Sequence, residues 1–157
     1  MRDASSETFG KNKGMPALFR NIDCHSLPVS DLSEGILFYQ ALGHELIWRI
    51  DSCAGLKLGT SELVLHTDDR PMETDLLVES VEDAVAIFKE AGGSVLREPF
   101  DIEIGRCAVI LDPWNNALVI LDQSKGVFEV DSEHNVIGNK STEAGLPDGY
   151  TAAHQDL

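Results

Sequence analysis

Hydrophobic positions along the chain form segments with either helical or strand-like spacing, and these segments follow one another in a fixed order. Two stretches have helical spacing, GILFYQAL and AVAIFKEA. The first is preceded by a strand-like run, IDCHSLPV, and followed by three more, ELIWRI, AGLKL and ELVLHT. The second is preceded by TDLLVES and followed by SVLREP, RCAVILD and NALVILD. The pattern therefore predicts the order βαβββ twice in succession.

The two halves match one another at an offset of roughly 49 residues, which indicates an internal repeat. Each predicted helix begins after a capping residue, Asp31 in the first copy and Ser80 in the second, and each has an acidic residue three positions later. Each helix ends at a glycine, Gly43 or Gly92, which can adopt the left-handed conformation of a C-cap. Both copies thus predict the same local structure.

The predicted fold class is α+β, with two tandem βαβββ modules forming a curved, mainly antiparallel sheet. Helices on the outer face of such a sheet leave a concave face, the cup, free for a ligand. We expect a single domain over residues 19–126, divided into module one at about 19–72 and module two at about 73–126. The flanking segments are interpreted as a flexible leader (1–18), an added hairpin (127–138) and a polar tail (139–157).

Composition narrows the range of partners. A formal net charge of -15 repels phosphate backbones and anionic lipid surfaces, which argues against nucleic acid or a membrane as a partner. No apolar run is long enough to span a bilayer, so we expect a soluble, cytoplasmic protein. The 3 cysteines are widely spaced and form no CxxC pair, which favours free thiols.

The opening IDCHSLPVSDLSEGILFYQALGHEL and the turn and strand DPWNNALVILD resemble the vicinal oxygen chelate superfamily. This superfamily includes glyoxalase I, bleomycin resistance proteins, fosfomycin-modifying enzymes and extradiol dioxygenases. The resemblance implies the fold predicted above, and it implies a homodimer, because related two-module chains commonly pair. In the superfamily's enzymes a divalent metal is held by side chains from the first and last strands of each module, usually His and Glu.

The metal positions implied by the resemblance are altered in this chain. They are occupied by Cys24, Val64, Glu73 and Val119. Valine cannot bind a metal, so the usual site is expected to be missing and no cofactor is favoured. His66 shares a face with Val64, whereas His25 should point toward the helices. A divalent metal such as Zn, Ni, Mn or Fe, if bound, would be held by Cys24, His66 and Glu73.

A row of polar side chains is predicted on the concave face where the two modules begin. Ser26 and Asp75 alternate with Cys24 and Glu73, so all four should point into the cup. Glu73 is the candidate catalytic residue, because a carboxylate removed from water has a raised pKa and can act as a base. The alternative places Glu73 at a strand end in water. Cys24 is a ligand or nucleophile, or else a small buried hydrophobe.

Four larger side chains are further candidates, and the first three have two interpretations each. Trp48 is expected to line the cup, although large aromatic side chains also form ordinary core. His66 lies either at the mouth of the cup, where it titrates near neutral pH, or in water at a strand end. Arg106 either clamps an anionic substrate or forms a surface salt bridge, and Trp114 is a turn residue that could fold over the cup.

These observations favour a protein that binds a small organic molecule in its cup, without the usual metal site. The predicted ligand-binding residues are Cys24, Ser26, Trp48, Val64, His66, Asp75 and Val119. The alternative is a divalent-metal-dependent lyase or isomerase of the glyoxalase type, or a dioxygenase-like enzyme, with an altered site. A third hypothesis is a metal-free enzyme in which Glu73 removes a proton from a carbon acid.

Overall fold

Residues 16–141 are the part of the chain that the computed structural model describes. Module one consists of β1 (Asn21–Pro28), α1 (Leu32–Ala41), β2 (Leu46–Arg49), β3 (Cys53–Leu58) and β4 (Ser61–His66). Module two consists of β5 (Glu73–Leu77), α2 (Val81–Glu90), β6 (Ser94–Ile102), β7 (Gly105–Leu111) and β8 (Ala117–Leu121). The hairpin strands β9 (Val127–Val130) and β10 (Val136–Lys140) follow. The predicted order βαβββ, twice, is confirmed.

Both modules contribute to one 8-stranded sheet of order β2-β3-β4-β1-β5-β8-β7-β6. Within each module the first and last strands run parallel, β1 with β4 and β5 with β8. The other pairs are antiparallel, including β1 with β5, which joins the two modules. The α+β class with a large, mainly antiparallel sheet is therefore confirmed.

The local signals for the two helices act as the sequence predicts. Asp31 and Ser80 are the N-caps, and each side chain accepts a hydrogen bond from the backbone N–H three residues later, at 2.8 and 3.3 Å. Gly43 and Gly92 follow the helices with φ of 98° and 112°, a conformation that is unfavourable for residues other than glycine. Among residues 16–141, no helix is long and apolar enough to cross a membrane.

Each helix covers its own module on one face of the sheet. Ile36 of α1 packs with Leu56 and Leu65, while Val85 of α2 packs with Ile110 and Ile120. The opposite face, which we call the open face, carries a third apolar cluster that includes Trp48, Val64 and the hairpin residues Phe128, Val130 and Val136. The appended hairpin is therefore part of the open face and partly covers module one.

The ends of the domain differ slightly from the predicted boundaries. Strand β10 reaches Lys140, beyond the predicted end of the hairpin at residue 138. Leu18, assigned to the leader, packs against the core under α2, because its apolar side chain meets Val78 and its neighbours there. Residues 1–15 of the predicted leader and 142–157 of the predicted tail lie outside the described residues.

A buried carboxylate, Asp122, connects the end of β8 to the start of α2. Its Oδ2 accepts from the backbone N–H of Val81 at 2.9 Å, and its Oδ1 accepts from Arg106 N–H at 3.0 Å and from the Ser124 hydroxyl at 2.7 Å. Gly105 makes room for this carboxylate, since a Cβ there would overlap it. Asp122, just after β8, thus adds an acceptor for the first turn of α2 and stabilises module two.

We expect Asp122→Ala to lower the free energy of unfolding by about 3 kcal/mol, because it leaves buried N–H groups without acceptors. Urea denaturation measures this loss. Asp101→Ala is the control, since Asp101 is exposed and forms only surface ion pairs with Arg106 and Lys125. A similar loss in both variants would contradict the assigned role of Asp122.

Candidate functional site

Strand alternation determines which side chains reach the open face. Leu63 and Leu65 of β4 pack under α1, so Glu62, Val64 and His66 face the other way. Cys24 of β1 is paired with Glu62 of β4 on one side and with Asp75 of β5 on the other. The predicted grouping of Cys24 with Asp75 on this face is therefore correct. His25 faces the helices, as predicted, and its Nδ1 lies 3.0 Å from the Thr74 hydroxyl.

A cavity of about 240 Å³ lies on the open face. It is lined by residues of module one, by Asp75 of β5, by the end of β6 with the turn that follows it, and by the hairpin. Most of its wall is apolar, including Trp48, Ile104 and Phe128. Four predicted ligand-binding residues line it, namely Cys24, Trp48, Val64 and Asp75. Ser26, His66, Glu73 and Val119 do not line this cavity, although Ser26 is buried nearby on β1.

Trp48 is held against the sheet by a buried hydrogen bond. Its indole Nε1–H donates to Glu62 Oε1 at 2.8 Å, and its ring lies 4.8 Å from the Phe128 ring, centroid to centroid. Gly55 of β3 leaves the space for this arrangement, because a Cβ there would overlap the indole and approach the Glu62 carboxylate. Trp48 therefore forms a fixed wall of the cavity, as the sequence predicted.

Three carboxyl groups form the floor of the cavity, and we call them the acid trio: Asp23 and Glu62, which are buried, and Asp75, which is half-buried. Burial raises the pKa of Asp23 to about 7 and that of Glu62 well above its usual range. Burial also raises the pKa of Asp75 to about 8, with a further contribution from the neighbouring Glu73. The trio therefore retains protons that exposed carboxyl groups lose.

Two members of the acid trio were missed by the sequence reasoning. Glu62 shares the alternation of Val64 and His66, so the same parity that selected those two residues was a signal for it. Asp23 reaches the cavity because the register of β1 against β5 shifts between Ile22 and Cys24. Such a bulge places neighbouring residues on one face, and simple alternation does not predict it.

Cys24 is arranged as a thiol and not as a nucleophile. It is 5% exposed, and its Sγ–H donates to Asp75 Oδ2 at 3.5 Å. Burial raises the pKa of the thiol well above its usual value, and nearby carboxylates, Asp75 foremost, raise it further. Since the thiolate is the reactive form, this surrounding suppresses nucleophilic chemistry at Cys24.

Both interpretations of His66 are wrong, because its side chain is completely buried. It ends β4, where it is paired with Pro28 of β1 and with Cys53 of β3. Its Nδ1 lies 2.8 Å from Asp68 Oδ1, a close contact that lacks the alignment of a hydrogen bond. His66 therefore lies neither at the mouth of the cavity nor in solvent.

Glu73 is at the edge of the site. Its Oε2 forms an ion pair with Arg70 Nη1 at 3.2 Å, and its side chain is 22% exposed. On this strand, burial raises the pKa of Asp75 to about 8, and Asp75 lines the cavity. Asp75 therefore has the environment that the sequence reasoning assigned to Glu73.

Arg106 and Trp114 lie elsewhere. Arg106 pairs with Glu82 at 2.9 Å and with Asp101 at 3.2 Å, so the surface salt bridge is confirmed and the anion clamp is wrong. Trp114 is 72% exposed in the turn between β7 and β8, and it does not fold over the cavity. Neither residue contributes to the open-face site.

The side chains at the open face do not form a set of metal ligands. Glu62 already accepts from the Trp48 indole, Glu73 pairs with Arg70, and Val64 and Val119 carry no donor atoms. Among residues 16–141, no group of three or more His, Cys, Asp or Glu side chains is arranged to hold an ion. These residues do not fit a divalent cation, and the absence of a cofactor stays a prediction.

Comparison with known proteins places this geometry in a family. Residues 21–120 match the model of the Glyoxalase/Bleomycin resistance protein/Dioxygenase superfamily. The chain belongs to this superfamily. A relative from Mycolicibacterium smegmatis, described as an uncharacterised protein, is 31% identical over 105 residues, covering 63% of this chain and 90% of the relative. The resemblance found in the two sequence motifs is thus confirmed.

Solved structures support the glyoxalase-superfamily fold. Methylmalonyl-CoA epimerase from Mycobacterium tuberculosis is 18% identical with a TM-score of 0.56, covering 71% of this chain and 94% of the epimerase. A hypothetical protein from Bacillus halodurans is 17% identical with a TM-score of 0.56, covering 66% and 94% of the respective chains. At these identities the likeness shows the fold alone.

We expect Gly55→Ala to displace the Trp48 indole and to lower the free energy of unfolding of this glyoxalase-superfamily domain by about 2–4 kcal/mol, through overpacking and the lost hydrogen bond. In a Trp114→Phe background the fluorescence comes from Trp48 alone, and its emission should move to longer wavelength. Gly138→Ala is the control, since its Cβ would meet nothing closer than 4.0 Å. Unchanged emission in Gly55→Ala would contradict the close contact.

The acid trio predicts an unusual pH dependence of stability. Unfolding returns these carboxyl groups to a pKa of about 4, so between about pH 4 and pH 8 the folded state binds more protons than the unfolded state. The free energy of unfolding should therefore fall as pH rises from 5 to 8. Asp23→Asn should reduce this fall by about 2 kcal/mol, whereas the exposed Asp69→Asn should not. Urea denaturation at pH 5 and pH 8 measures the fall in the free energy of unfolding for each variant. An equal fall in the two variants would contradict the raised pKa of Asp23.

Proposed function

We propose that this protein binds a small organic molecule in the open-face cavity and does so without a resident divalent metal. The observation that carries the proposal is the cavity itself, about 240 Å³ of mostly apolar wall with a few convergent polar groups. That combination is typical of small-molecule sites, in which apolar surface supplies affinity and the polar groups fix orientation. The volume suits a ligand below drug size.

The hairpin supports binding because it completes the site. Val127 is 1% exposed and, with Phe128, borders the cavity opposite the sheet. A ligand packed against the touching rings of Trp48 and Phe128 would lose contact with water on that side, which strengthens both apolar and hydrogen-bonding contacts. The domain without these two strands would have an open groove here, so the hairpin contributes to the proposed function.

The alternative, a metal-dependent lyase or isomerase, lacks a supporting observation in the described residues. Its proposed ligands were Cys24, His66 and Glu73, but only Cys24 lines the cavity. The other two have different surroundings, since His66 is enclosed between strands and Glu73 pairs with Arg70. We therefore prefer binding, and family membership is compatible with it because one fold hosts many functions.

We expect neutral probes such as 2-phenylethanol and indole to bind with dissociation constants on the order of 1 mM, given their few non-hydrogen atoms. Binding should shift the NMR signal of the Trp48 indole N–H, recorded in the Trp114→Phe background. Val64→Phe fills the cavity and should weaken binding by about tenfold or more.

The matched control is Leu96→Phe, which adds an aromatic ring at a residue that is 61% exposed on β6. This variant should bind the probes as the unmodified protein does. Binding that survives Val64→Phe unchanged, or probes that leave the Trp48 signal in place, would show that the cavity is not the binding site.

A further inference from the structure

The acid trio leaves part of its hydrogen-bonding capacity unused inside the cavity. Asp23 is 5% exposed and Glu62 is 2% exposed. Asp23 Oδ1, Glu62 Oε2 and Asp75 Oδ1 are each buried without a hydrogen-bond partner. Buried polar atoms are rarely left unpaired in native proteins, because each one costs free energy. Asp75 also meets the carboxyl group of Glu73, so the two most deeply buried oxygens, Asp23 Oδ1 and Glu62 Oε2, point most directly to a donor that a ligand supplies.

The nearest basic side chain does not supply that donor. Arg70 lines the cavity, but its Nε and Nη1 are used by Asp68 at 3.0 Å and Glu73 at 3.2 Å, both at the edge of the site. The one guanidinium at the cavity thus lies closest to Asp68 and Glu73 and also interacts electrostatically with Asp75, whereas no hydrogen bond from Arg70 reaches Asp23 or Glu62. An organic cation is the partner that offers both several N–H donors and a compensating charge.

The walls above the floor suit the rest of such a ligand. Trp48 and Phe128 stand with their ring centroids 4.8 Å apart beside the trio, and Trp48 is fixed by its bond to Glu62. Aromatic faces attract a positively charged nitrogen, and they also pack against an apolar body. The cavity therefore places apolar and acidic surfaces within reach of one small molecule.

We propose that the ligand of this cavity is an organic amine, with its protonated nitrogen bound by Asp23, Glu62 and Asp75 and its apolar part against Trp48 and Phe128. This inference rests on the proposed function, since it names the chemical class of the molecule that the cavity binds. It differs from the metal chemistry of the superfamily, because the cation recognised is organic and supplies its own N–H donors.

Binding of a cation should displace protons from the trio. Near neutral pH the buried carboxyl groups retain protons, and an ammonium group favours their ionised forms. Other titratable or charged groups face the trio from the surrounding elements: Cys24, Cys53, Arg70, Glu73, Glu103 and Cys107. The three thiols remain protonated here, since burial raises the pKa of each, so the released proton comes from a carboxyl group.

The test compares 2-phenylethylamine with 2-phenylethanol, two probes of nearly equal size that differ in charge. Isothermal titration at pH 8 should give an amine affinity at least about tenfold higher than that of the alcohol. Titrations in phosphate and in Tris, which differ in ionisation enthalpy, should show up to one proton released per amine at pH 7 and none for the alcohol. Lowering the pH from 8 to 6 should weaken binding of the amine and leave binding of the alcohol unchanged.

Two variants remove the recognition and leave the cavity intact. Glu62→Gln keeps an oxygen that accepts from the Trp48 indole, and Asp23→Asn preserves the shape of its side chain. In each variant the amine affinity should fall to within about threefold of the alcohol affinity of the same variant. Glu129→Gln removes the same charge from an exposed position of the hairpin and should preserve the tenfold preference.

The outcomes separate this inference from the proposed function. If the amine and the alcohol shift the Trp48 signal with equal affinity, the inference is overturned while the binding function stands. If the amine preference persists in both Glu62→Gln and Asp23→Asn, the cation binds elsewhere and the inference is again overturned. If neither probe shifts the Trp48 signal, the proposed function and the inference both fail.

Discussion

The structure depends on the antiparallel pairing of β1 with β5, which joins the two modules into one sheet. Without it each module would expose a long strand edge and half of a concave surface. The same pairing brings Cys24 beside Asp75, and the parallel pairing of β1 with β4 brings Glu62 to the other side of Cys24. The floor of the cavity is thus built at the seam between the modules.

Local signals made much of the fold predictable. Apolar periodicity, capping residues and glycines act over a few residues, so Asp31, Ser80, Gly43 and Gly92 could be assigned from the sequence alone. The site was less accessible to such reasoning. The bulge beside Asp23 changes strand parity, and the complete burial of His66 is a property of the assembled fold, so neither could be predicted from local patterns.

Burying three carboxyl groups opposes folding, and the surrounding structure offsets that cost only in part. Trp48 satisfies one oxygen of Glu62, and Cys24 satisfies one of Asp75, while Asp23 Oδ1, Glu62 Oε2 and Asp75 Oδ1 accept no hydrogen bond from an N–H, hydroxyl or thiol donor. Protonation avoids the larger cost of buried charge. Groups that lower stability in this way are typical of functional sites, where recognition of a ligand takes precedence over stability.

On the open face of this glyoxalase-superfamily domain, we propose that the acid trio binds an organic ligand and not an inorganic ion. Elemental analysis of untagged protein, purified without a metal-affinity column, tests it most directly. We expect far less than one divalent ion per chain, and an indole N–H signal of Trp48 that a chelator leaves unchanged. A stoichiometric ion, removed by a chelator together with a shift of that signal, would contradict it.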